Sequence, residues 1–583
     1  MDTKLSSVFS LLLLSFLFFS LVYSTPNIFS SSSNTVVISQ LPYTITKPGA
    51  YVLGSNEYYK GEGNAVTVKV NNVVLNGNGH TIEGSGKGVG IYGMNVNDIV
   101  VKNFKVMNFR EGLEIDYNST NNTFYGNIVS NNKIGVDLGW CSGNNTIYNN
   151  TISGNVFGIR AFLEGGVDGI HNNKIEGNKY GIEVNGFPQV VIDANKILNN
   201  KYGIELRDSS GHVIRNNEFV NDGLLVILSY NNTVENNYVN GKPLVYLEGV
   251  SDYTVDYAGQ VVLVDCNNIL ISNFDLSNAS VGVELWKTNN TVIKDNIMSG
   301  NTNGTIIWGN SYRDTINGNY ITDNKDGVNL ELGSYNNSIS GNLIKSNEAG
   351  IILQRSGVFG YNEIHGNILL NNKYGVVLGD FSGDNIFYGN NFIDNGKQVL
   401  INAEQIFPNK WDNGYPSGGN YWSNYHGEDE HSGKYQNETG SDGIGDSIYI
   451  IYTGNVDHYP LMNKVPINFT IPETKTITIT STTPITSTES TGSSSTSSTT
   501  KTGRSTTTSY TVTGIPKTTP ISITGGSTST SRSATTYTSN SYSTTTHESM
   551  VTTREQGASR TTIATIILIA IIIVGMSIAF WKH

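Results

Sequence analysis

Cysteine, charge and basic residues are all scarce in this chain of 583 residues, and each scarcity excludes a class of protein. Two cysteines are too few for the disulfide framework of a small secreted fold. Charged residues make up only 14% of the chain, and Asp plus Glu outnumber Lys plus Arg by 48 to 36. Nucleic acid is therefore not expected as a partner, because phosphate binding needs clustered cations. Glycine, in contrast, reaches 63 residues, which is not typical of a helical enzyme.

Both ends of the chain carry long apolar runs. Residues 8–22 follow Lys4 and are typical of a secretory signal (1–24), although an uncleaved N-terminal anchor fits the same pattern. Residues 562–581 are long enough to span a bilayer as one helix, and Lys582 suits the cytoplasmic side. We therefore predict a cell-surface protein with an extracellular body and a C-terminal membrane anchor.

The residues before the predicted anchor, 464–560, are mostly Ser and Thr with scattered Gly and Pro. Such a composition cannot bury enough apolar surface to fold. We predict a disordered, mucin-like stalk that carries O-linked sugars.

A glycine, here called the marker glycine, recurs along the middle of the chain. Before a less regular stretch the steps are 22 or 23 residues, and after it 22 to 25. The marker glycines are Gly90, Gly112, Gly135, Gly158, Gly181, Gly203, Gly282, Gly304, Gly327, Gly350 and Gly375. A fixed period of this size is the signature of a repeat architecture.

Each repeat unit has the pattern of short strands. In "GIEL" (203–206) apolar and polar residues alternate, and Asn and Gly mark the turns. We predict an all-β protein, a right-handed parallel β-helix of about 15 turns stacked about 4.8 Å apart. Equivalent positions then form ladders, with Ile, Val and Leu inside and hydrogen-bonded Asn at the turns. The predicted parts are a cap with entry strands (25–70), the coil (71–403, with an insertion at about 240–260) and a C-terminal cap (404–463).

The two cysteines test this register. Cys141 and Cys266 lie five or six turns apart in it, roughly 25 Å, whereas a disulfide needs Cα atoms within about 7 Å. We predict two free thiols.

Entry and exit motifs resemble a known family. With "KPGAYVL" (47–53), "NVVLNGNGHTIEG" (72–84) and "GGNYWSNYHGEDE" (418–430), the chain is similar to the NosD-like, CASH-type β-helix proteins over about residues 40–463. The resemblance implies a right-handed β-helix and a role in copper delivery. Met and His are sparse in the coil, so we do not expect copper here.

The first candidate site is the ladder two residues after each marker glycine. It runs Tyr92, Glu114, Asp137, Arg160, Glu183 and Glu205, with Glu284 after the irregular stretch. Asp137, Arg160, Glu183 and Glu205 are candidate catalytic residues, and Glu114 a substrate-binding one. Adjacent carboxylates suit a retaining glycosidase, and carboxylates two rungs apart an inverting one. Arg160 beside acids suits β-elimination of a uronate with bridging calcium. A solvated, charged β-surface explains the same ladder.

The second candidate is aromatic. Trp140, Trp286 and Trp308 follow their marker glycines by four or five residues, where they can stack sugar rings or anchor loops. The third lies in the cap, where Asp442, Asp446 and Asp457 are candidate calcium ligands beside the primary role of covering the open end. His426, His431 and His458 offer an alternative transition-metal site.

Eleven Asn-x-Ser/Thr sequons, including Asn118, Asn144, Asn231, Asn289, Asn336 and Asn437, complete the pattern, several at a similar phase of the repeat. They predict a stripe of glycans on an exposed turn, although Asn-rich turns with Thr also produce sequons by chance. The function predicted first is binding of an extended polysaccharide or glycan, or a structural and adhesive role that includes a surface partner protein. A membrane-anchored hydrolase or lyase is the alternative, and a copper accessory role of the NosD type is third.

Overall fold

The computed structural model describes residues 35–139, 143–162, 168–186, 189–355, 360–403 and 407–475. Within these ranges the chain forms short β-strands and turns and no α-helix, and no helix there could cross a membrane. The strands pair in parallel from one turn to the next, so the predicted all-β parallel solenoid of about 15 turns is confirmed. The predicted signal, most of the stalk and the membrane helix lie outside the described residues.

The first segment of the solenoid, residues 35–239, has three sheets. Sheet A contains Val36–Ile38, Gly49–Leu53, Val73–Asn76, Val100–Lys102, Thr123–Tyr125, Thr146–Tyr148, Asp168–His171, Val190–Asp193, Val213–Arg215 and Thr233–Glu235. Sheet B, which holds the marker glycines, contains Tyr43–Ile45, Asn64–Val68, Val89–Met94, Glu111–Asp116, Ile134–Leu138, Phe157–Phe162, Tyr180–Asn185, Tyr202–Arg207 and Leu224–Ile227. Sheet C contains Glu57–Tyr58, Thr81–Glu83, Lys105–Met107, Ile128–Ser130, Thr151–Ser153, Lys174–Glu176, Lys196–Leu198, Glu218–Val220 and Tyr238–Val239.

The second segment, residues 242–401, repeats this arrangement with new sheets. Sheet D, which holds the later marker glycines, contains Lys242–Glu248, Gln260–Val264, Val281–Trp286, Asn303–Trp308, Asp326–Glu331, Ala349–Gln354, Tyr374–Leu378 and Lys397–Ile401. Sheet E contains Ser251–Thr254, Asn267–Ser272, Val292–Lys294, Thr315–Asn317, Ser338–Ser340, Glu363–His365 and Ile386–Tyr388. Sheet F contains Ile297–Ser299, Tyr320–Thr322, Leu343–Lys345, Ile368–Leu370, Asn391–Ile393 and, from the cap, Tyr421–Trp422.

Asparagine ladders fasten the turns of both segments. In one ladder Asn155 accepts hydrogen bonds from the backbone and side-chain N–H groups of Asn132 at 2.9 and 3.2 Å. Asn155 in turn donates through Nδ2 to the carbonyl of Val129 at 3.3 Å. The same three bonds recur on later rungs and leave almost every buried amide partnered, as the sequence predicted.

The sequence predicts an insertion at about 240–260, but this stretch is the start of the second segment. Tyr238–Val239 pairs antiparallel with the beginning of Lys242–Glu248, and that strand then pairs in parallel with Gln260–Val264. Sheet D therefore continues sheet C instead of sheet B. Within the predicted cap and entry strands (25–70), Val36–Ile38 already pairs with Gly49–Leu53 as a rung of sheet A.

The last strand of sheet B, Leu224–Ile227, is covered by side chains of sheet D instead of another strand. Gln260 accepts from the N–H of Leu224 at 3.0 Å and donates to its carbonyl at 2.5 Å. The carboxylate of Glu284 accepts from the N–H of Val226 at 3.1 and 3.2 Å. These bonds satisfy backbone groups that would otherwise be buried without partners.

The C-terminal cap covers the far end of the second segment. Trp411 and Trp422 are fully buried and stack on Phe387 and Phe392 at 4.1 and 4.2 Å between ring centroids. Two small antiparallel pairs complete it: His431–Ser432 with Glu438–Thr439, and Tyr449–Tyr452 with Asn455–Asp457.

Residues 464–475, predicted as the start of the stalk, instead form an extended strap across sheet F. Val465 and the side chain of Asn391 exchange two hydrogen bonds at 2.8 and 2.9 Å. Phe469 is buried against Leu343 and Ile368 on the outer face of sheet F. The N–H of Lys475 reaches the carbonyl of Asn273 at 2.6 Å. The folded part of the chain therefore extends to at least residue 475.

Candidate functional site

The outer face of sheet B carries the predicted ladder in register. Glu114 pairs with Asp137, Asp137 with Arg160, Arg160 with Glu183 and Glu183 with Glu205. The order arises because the marker glycine two residues earlier approaches the next rung too closely for a side chain. A Cβ on Gly158, for example, would collide with the carbonyl oxygen of Gly181. The other marker glycines of sheet B approach a carbonyl oxygen of the next rung as closely, so glycine recurs on these rungs.

Two of the predicted catalytic acids are held in ion pairs. Arg160 binds both oxygens of Asp137, with Nε to Oδ1 at 3.1 Å and Nη2 to Oδ2 at 2.5 Å. Arg207 binds Oε1 of Glu205 at 3.0 and 2.7 Å. The carboxylates are 5% and 2% exposed, so the arginines compensate charges that would be costly to bury alone. Glu205 is thus almost fully enclosed.

The other two acids of the ladder hold protons more tightly. Burial, followed by the neighbouring charges of Glu111 and Asp137, raises the pKa of Glu114 to about 8. Burial and the charge of Glu205 raise the pKa of Glu183. Glu114 is therefore mostly protonated at pH 7 and can donate a proton or a hydrogen bond.

A pocket of about 170 Å³ opens beside Glu114 and Asp137. Its other lining residues are Arg110, Glu111, Asp116, Gly139, Arg160 and Phe162. Gly139 lies between Asp116 and Phe162 in the neighbouring outward column, and the Asp116 carboxylate lies where a side chain of residue 139 would begin. Arg110 pairs with Glu111 at 2.8 Å. The pocket thus combines hydrogen-bonding groups of both charges with one aromatic ring.

The sequence predicted Glu114, Asp137 and Arg160 of this pocket and missed the rest. Glu111 and Asp116 lie on the same strand as Glu114, Glu111–Asp116. They are not two residues after the marker glycine, so the sequence did not place them in the ladder. The signal for Gly139 was present, because the other repeats carry a larger residue at that position: Asp116, Phe162, Asn185 and Arg207.

An aromatic column also runs along sheet B, but it is not the predicted one. Phe157, Tyr180 and Tyr202 precede their marker glycines and stack at 5.0 and 5.3 Å between ring centroids. Their faces cover one another, with Lys179 and Lys201 lying 4.9 and 5.1 Å from the rings of Tyr180 and Tyr202. A sugar would need an uncovered ring face to stack on. We therefore interpret this column as one that stabilises the sheet.

The predicted tryptophan platform is not on the surface. Trp286 and Trp308 do occupy neighbouring rungs of sheet D, but their side chains are only 2% and 6% exposed. Trp286 stacks on Tyr230 of the first segment at 5.7 Å. Both rings belong to the hydrophobic core where the two segments meet. Trp140, the third predicted ring, lies outside the described residues.

The predicted calcium ligands have separate structural partners. Asp442 accepts from the N–H groups of Gly433 and Ile444, and Asp446 from His431. Asp457 is buried, accepts from Asn420 and Trp422, and has its pKa raised to about 7 by burial. Over the described ranges, no three His, Cys, Asp or Glu side chains are grouped to hold a metal ion. Calcium stays a prediction.

Of the two thiols, Cys266 is free and buried, and its Sγ lies 3.3 Å from the carbonyl of Val264. Burial raises its pKa, which keeps the thiol protonated. Cys141 lies outside the described residues.

Comparison with known proteins identifies the family. The family model described as "Periplasmic copper-binding protein (NosD)" matches residues 27–185, 70–257 and 245–427. The chain belongs to the NosD family. No curated protein matches it. The described side chains do not fit the copper of the family description, because a protonated thiol and scattered histidines form no cluster of soft ligands.

Several solved structures are similar to this chain. The A-module of the Azotobacter vinelandii mannuronan C-5 epimerase AlgE4 is 18% identical, with 62% of this chain and 90% of that chain covered and a TM-score of 0.20. PfbA, a surface adhesin of Streptococcus pneumoniae, is 13% identical, with coverages of 58% and 84% and a TM-score of 0.23. The alginate lyase AlyF-OU02, in complex with G6, is 12% identical, with coverages of 63% and 81% and a TM-score of 0.19. At these values none of the three carries an argument about function.

Proposed function

We propose that this NosD-family solenoid binds an extended polysaccharide along the outer face of sheet B, with one sugar unit held in the pocket at Gly139. The observation that carries the proposal is this pocket, which interrupts an otherwise filled column and gathers carboxyl, guanidinium and aromatic groups. Sugar hydroxyls donate and accept hydrogen bonds, and such convergent polar groups beside an aromatic ring are what orients a polar ligand.

The charge of the pocket favours a neutral polysaccharide over a polyuronate. Four acids and two arginines line it, and Glu114 is mostly protonated at pH 7. One net negative charge remains, and Arg110 and Arg160 are already paired with acids. A uronate carboxylate would therefore meet repulsion and no unpaired cation.

The predicted secretory signal and anchor lie outside the described residues. If both predictions hold, the proposed polysaccharide binding takes place at the cell surface. A solenoid displayed outside the cell would meet polymeric glycans of its own envelope or of other cells.

A variant that fills the pocket tests the proposal. The φ of Gly139 lies outside the left-handed region, but a Cβ there would clash with the Asp116 carboxylate, so Gly139→Leu requires that side chain to rotate away. Asn185→Leu is the matched control, because Asn185 lies two rungs away in the same column and outside the pocket. We expect Gly139→Leu to weaken binding to a neutral β-glucan or mannan at least tenfold while it still unfolds cooperatively, and Asn185→Leu to weaken binding much less.

Three outcomes contradict the proposal. The natural chain fails to bind any neutral polysaccharide, or it prefers alginate or pectate at low salt, or Gly139→Leu binds as tightly as Asn185→Leu. The last result would mean that the polysaccharide binds to another part of the surface and not at the pocket.

Glycoside hydrolysis is a second candidate function, favoured by the protonated Glu114 beside Asp137. Their rungs are stacked about 4.8 Å apart, close to the roughly 5 Å between the carboxyl groups of retaining glycosidases. Glu114 would protonate the leaving oxygen as the glycosidic bond breaks, while Asp137, held by Arg160, would attack the anomeric carbon. Water, deprotonated by Glu114, would then attack the same carbon and free the Asp137 carboxylate. Release of reducing ends that is lost in Glu114→Gln, with binding retained, would establish this activity. Binding with no reducing ends would leave the binding function alone.

A further inference from the structure

Four of the eleven sequons occupy the same place in the repeat. They begin at Asn121, Asn144, Asn231 and Asn336. Each of these asparagines is exposed and has a φ between 54° and 58°, so it forms the left-handed corner before a strand of sheet A or sheet E. The remaining seven begin at Asn118, Asn149, Asn278, Asn289, Asn303, Asn437 and Asn468.

The three residues of these four sequons have separate roles. The second residue, after the exposed corner residue, is an asparagine whose side chain turns inward. In the sequon at Asn144 this is Asn145, whose Oδ1 accepts from the N–H and Nδ2 of Asn122 at 3.1 and 3.0 Å. The third residue is Thr or Ser on the outer face of the strand, as with Thr146. The acceptor amide and the hydroxyl of the sequon therefore both face outward, while the residue between them fastens the coil.

Two other sequons lie where the folded chain has no room for a sugar. Asn303 is 4% exposed on a strand of sheet D. Asn289 is half-buried, and its Nδ2 donates to the hydroxyl of Tyr312 at 2.9 Å. A glycan on Asn303 would have to displace the packing between the two segments.

We propose that Asn121, Asn144, Asn231 and Asn336 carry N-linked glycans, and that Asn289 and Asn303 do not. In this modification the side-chain Nδ2 forms a bond to the anomeric carbon of a lipid-linked oligosaccharide. The lipid phosphate departs as the leaving group, and the amide loses one proton. The corner tolerates this change, since the amide of Asn144 makes no hydrogen bond to another described side chain or backbone group that would be lost.

The four asparagines mark the corner that follows sheets B and D in each turn. Glycans there would shield the edges of sheets A and E and leave the outer face of sheet B open. The inference does not depend on polysaccharide binding at Gly139, because its evidence lies in the sequons and their corner.

Glycopeptide mapping tests the proposal on full-length protein isolated from the membranes of its own host. Chymotryptic peptides are analysed by mass spectrometry before and after removal of the glycans. We expect glycopeptides for all four corner asparagines and only bare peptides for Asn289 and Asn303. A corner asparagine found only as bare peptide, or a glycan on Asn289 or Asn303, would overturn it.

Two variants expressed in the same host separate glycosylation from folding. Asn144→Gly removes the acceptor and keeps a residue that favours positive φ. Thr146→Ala keeps Asn144 and removes the hydroxyl of the sequon. We expect each to lose one glycan mass with Tm within about 2 °C of the natural chain. A glycan mass unchanged in either variant would contradict assignment to Asn144.

Discussion

Sheets B and D are built from the same part of the repeat, yet one faces outward and the other is partly covered. Two residues after the marker glycine, sheet B carries Asp137 and Glu205, each paired with an arginine. The same position in sheet D carries Glu284, which is fully buried and accepts from the backbone of Val226. The repeat therefore determines which residues share a column, and long-range packing determines what the column does.

Sheets C and F differ in the same way. The outward column of sheet C is mostly polar and largely exposed, with Lys174, Lys196 and Glu218, and it also includes Ile128. In sheet F the equivalent positions include Leu343 and Ile368, which lie beneath the strap. An apolar outward column in a solenoid thus indicates that another part of the chain covers it.

The largest effect should come from the tryptophans of sheet D. Trp286→Ala removes a buried ring at the meeting of the two segments, so we expect it to cost about 3–5 kcal/mol of unfolding free energy. Denaturant unfolding followed by far-UV circular dichroism measures this. Tyr435→Ala is the control, because Tyr435 is 78% exposed and should change stability by no more than about 0.5 kcal/mol. A cost below about 1 kcal/mol for Trp286→Ala would mean that the ring is not part of the core.

The second prediction concerns aspartates that replace asparagine in the ladders. Asp222 ends a ladder of the first segment: its Oδ2 accepts from Asn200 at 2.7 and 3.0 Å, and its buried Oδ1 has no partner among the described residues. Burial raises its pKa to about 7 from 3.8. Because the folded state holds the proton more tightly, its stability is full below pH 4 and declines as the pH rises to 7.

Asp222→Asn should therefore stabilise the protein at pH 8, by at most about 4 kcal/mol, and change little at pH 3.5. Asp314 in the second segment also has a pKa of about 7 from burial, but both of its oxygens accept hydrogen bonds, from Thr291 and Thr288. Asp314→Asn should gain less. Equal stability of the natural chain and Asp222→Asn across this pH range would contradict the ladder argument.

The strap gives the third prediction. Phe469→Ala should cost about 3 kcal/mol, because Phe469 is 7% exposed on a column that would otherwise face water. The loss should appear first as faster proteolysis near Lys464 and Lys475 and faster hydrogen exchange in sheet F, with sheet C unchanged. Unaltered exchange in sheet F would show that the strap does not cover it.

Much of the fold could be predicted from the sequence, because a period of 22 or 23 residues fixes the register within a segment. The pairing of Glu114, Asp137, Arg160 and Glu183 follows from counting alone. The cover on Trp286 could not be predicted, since it depends on contact with Tyr230, 56 positions earlier and across the change from sheet B to sheet D. The strap was missed for a different reason. Its apolar residues alternate as in a strand, at Val465, Ile467, Phe469 and Ile471, but the residues around them have the composition of the stalk.

The smallest expected effect comes from a direct comparison of substitutions at Glu205 and Glu284. Both residues lie two residues after a marker glycine. Burial raises the pKa of Glu284 well above its usual range, so the stability that it contributes is full at low pH and declines as the pH rises towards the raised pKa. Gln at position 284 can still accept from Val226 and carries no charge, so Glu284→Gln should gain about 1 kcal/mol at pH 8. Glu205→Gln leaves Arg207 without its carboxylate and should lose about 1–2 kcal/mol at the same pH. Shifts of the same sign in the two variants would mean that a shared position in the repeat, rather than what packs against it, governs these two carboxyl groups.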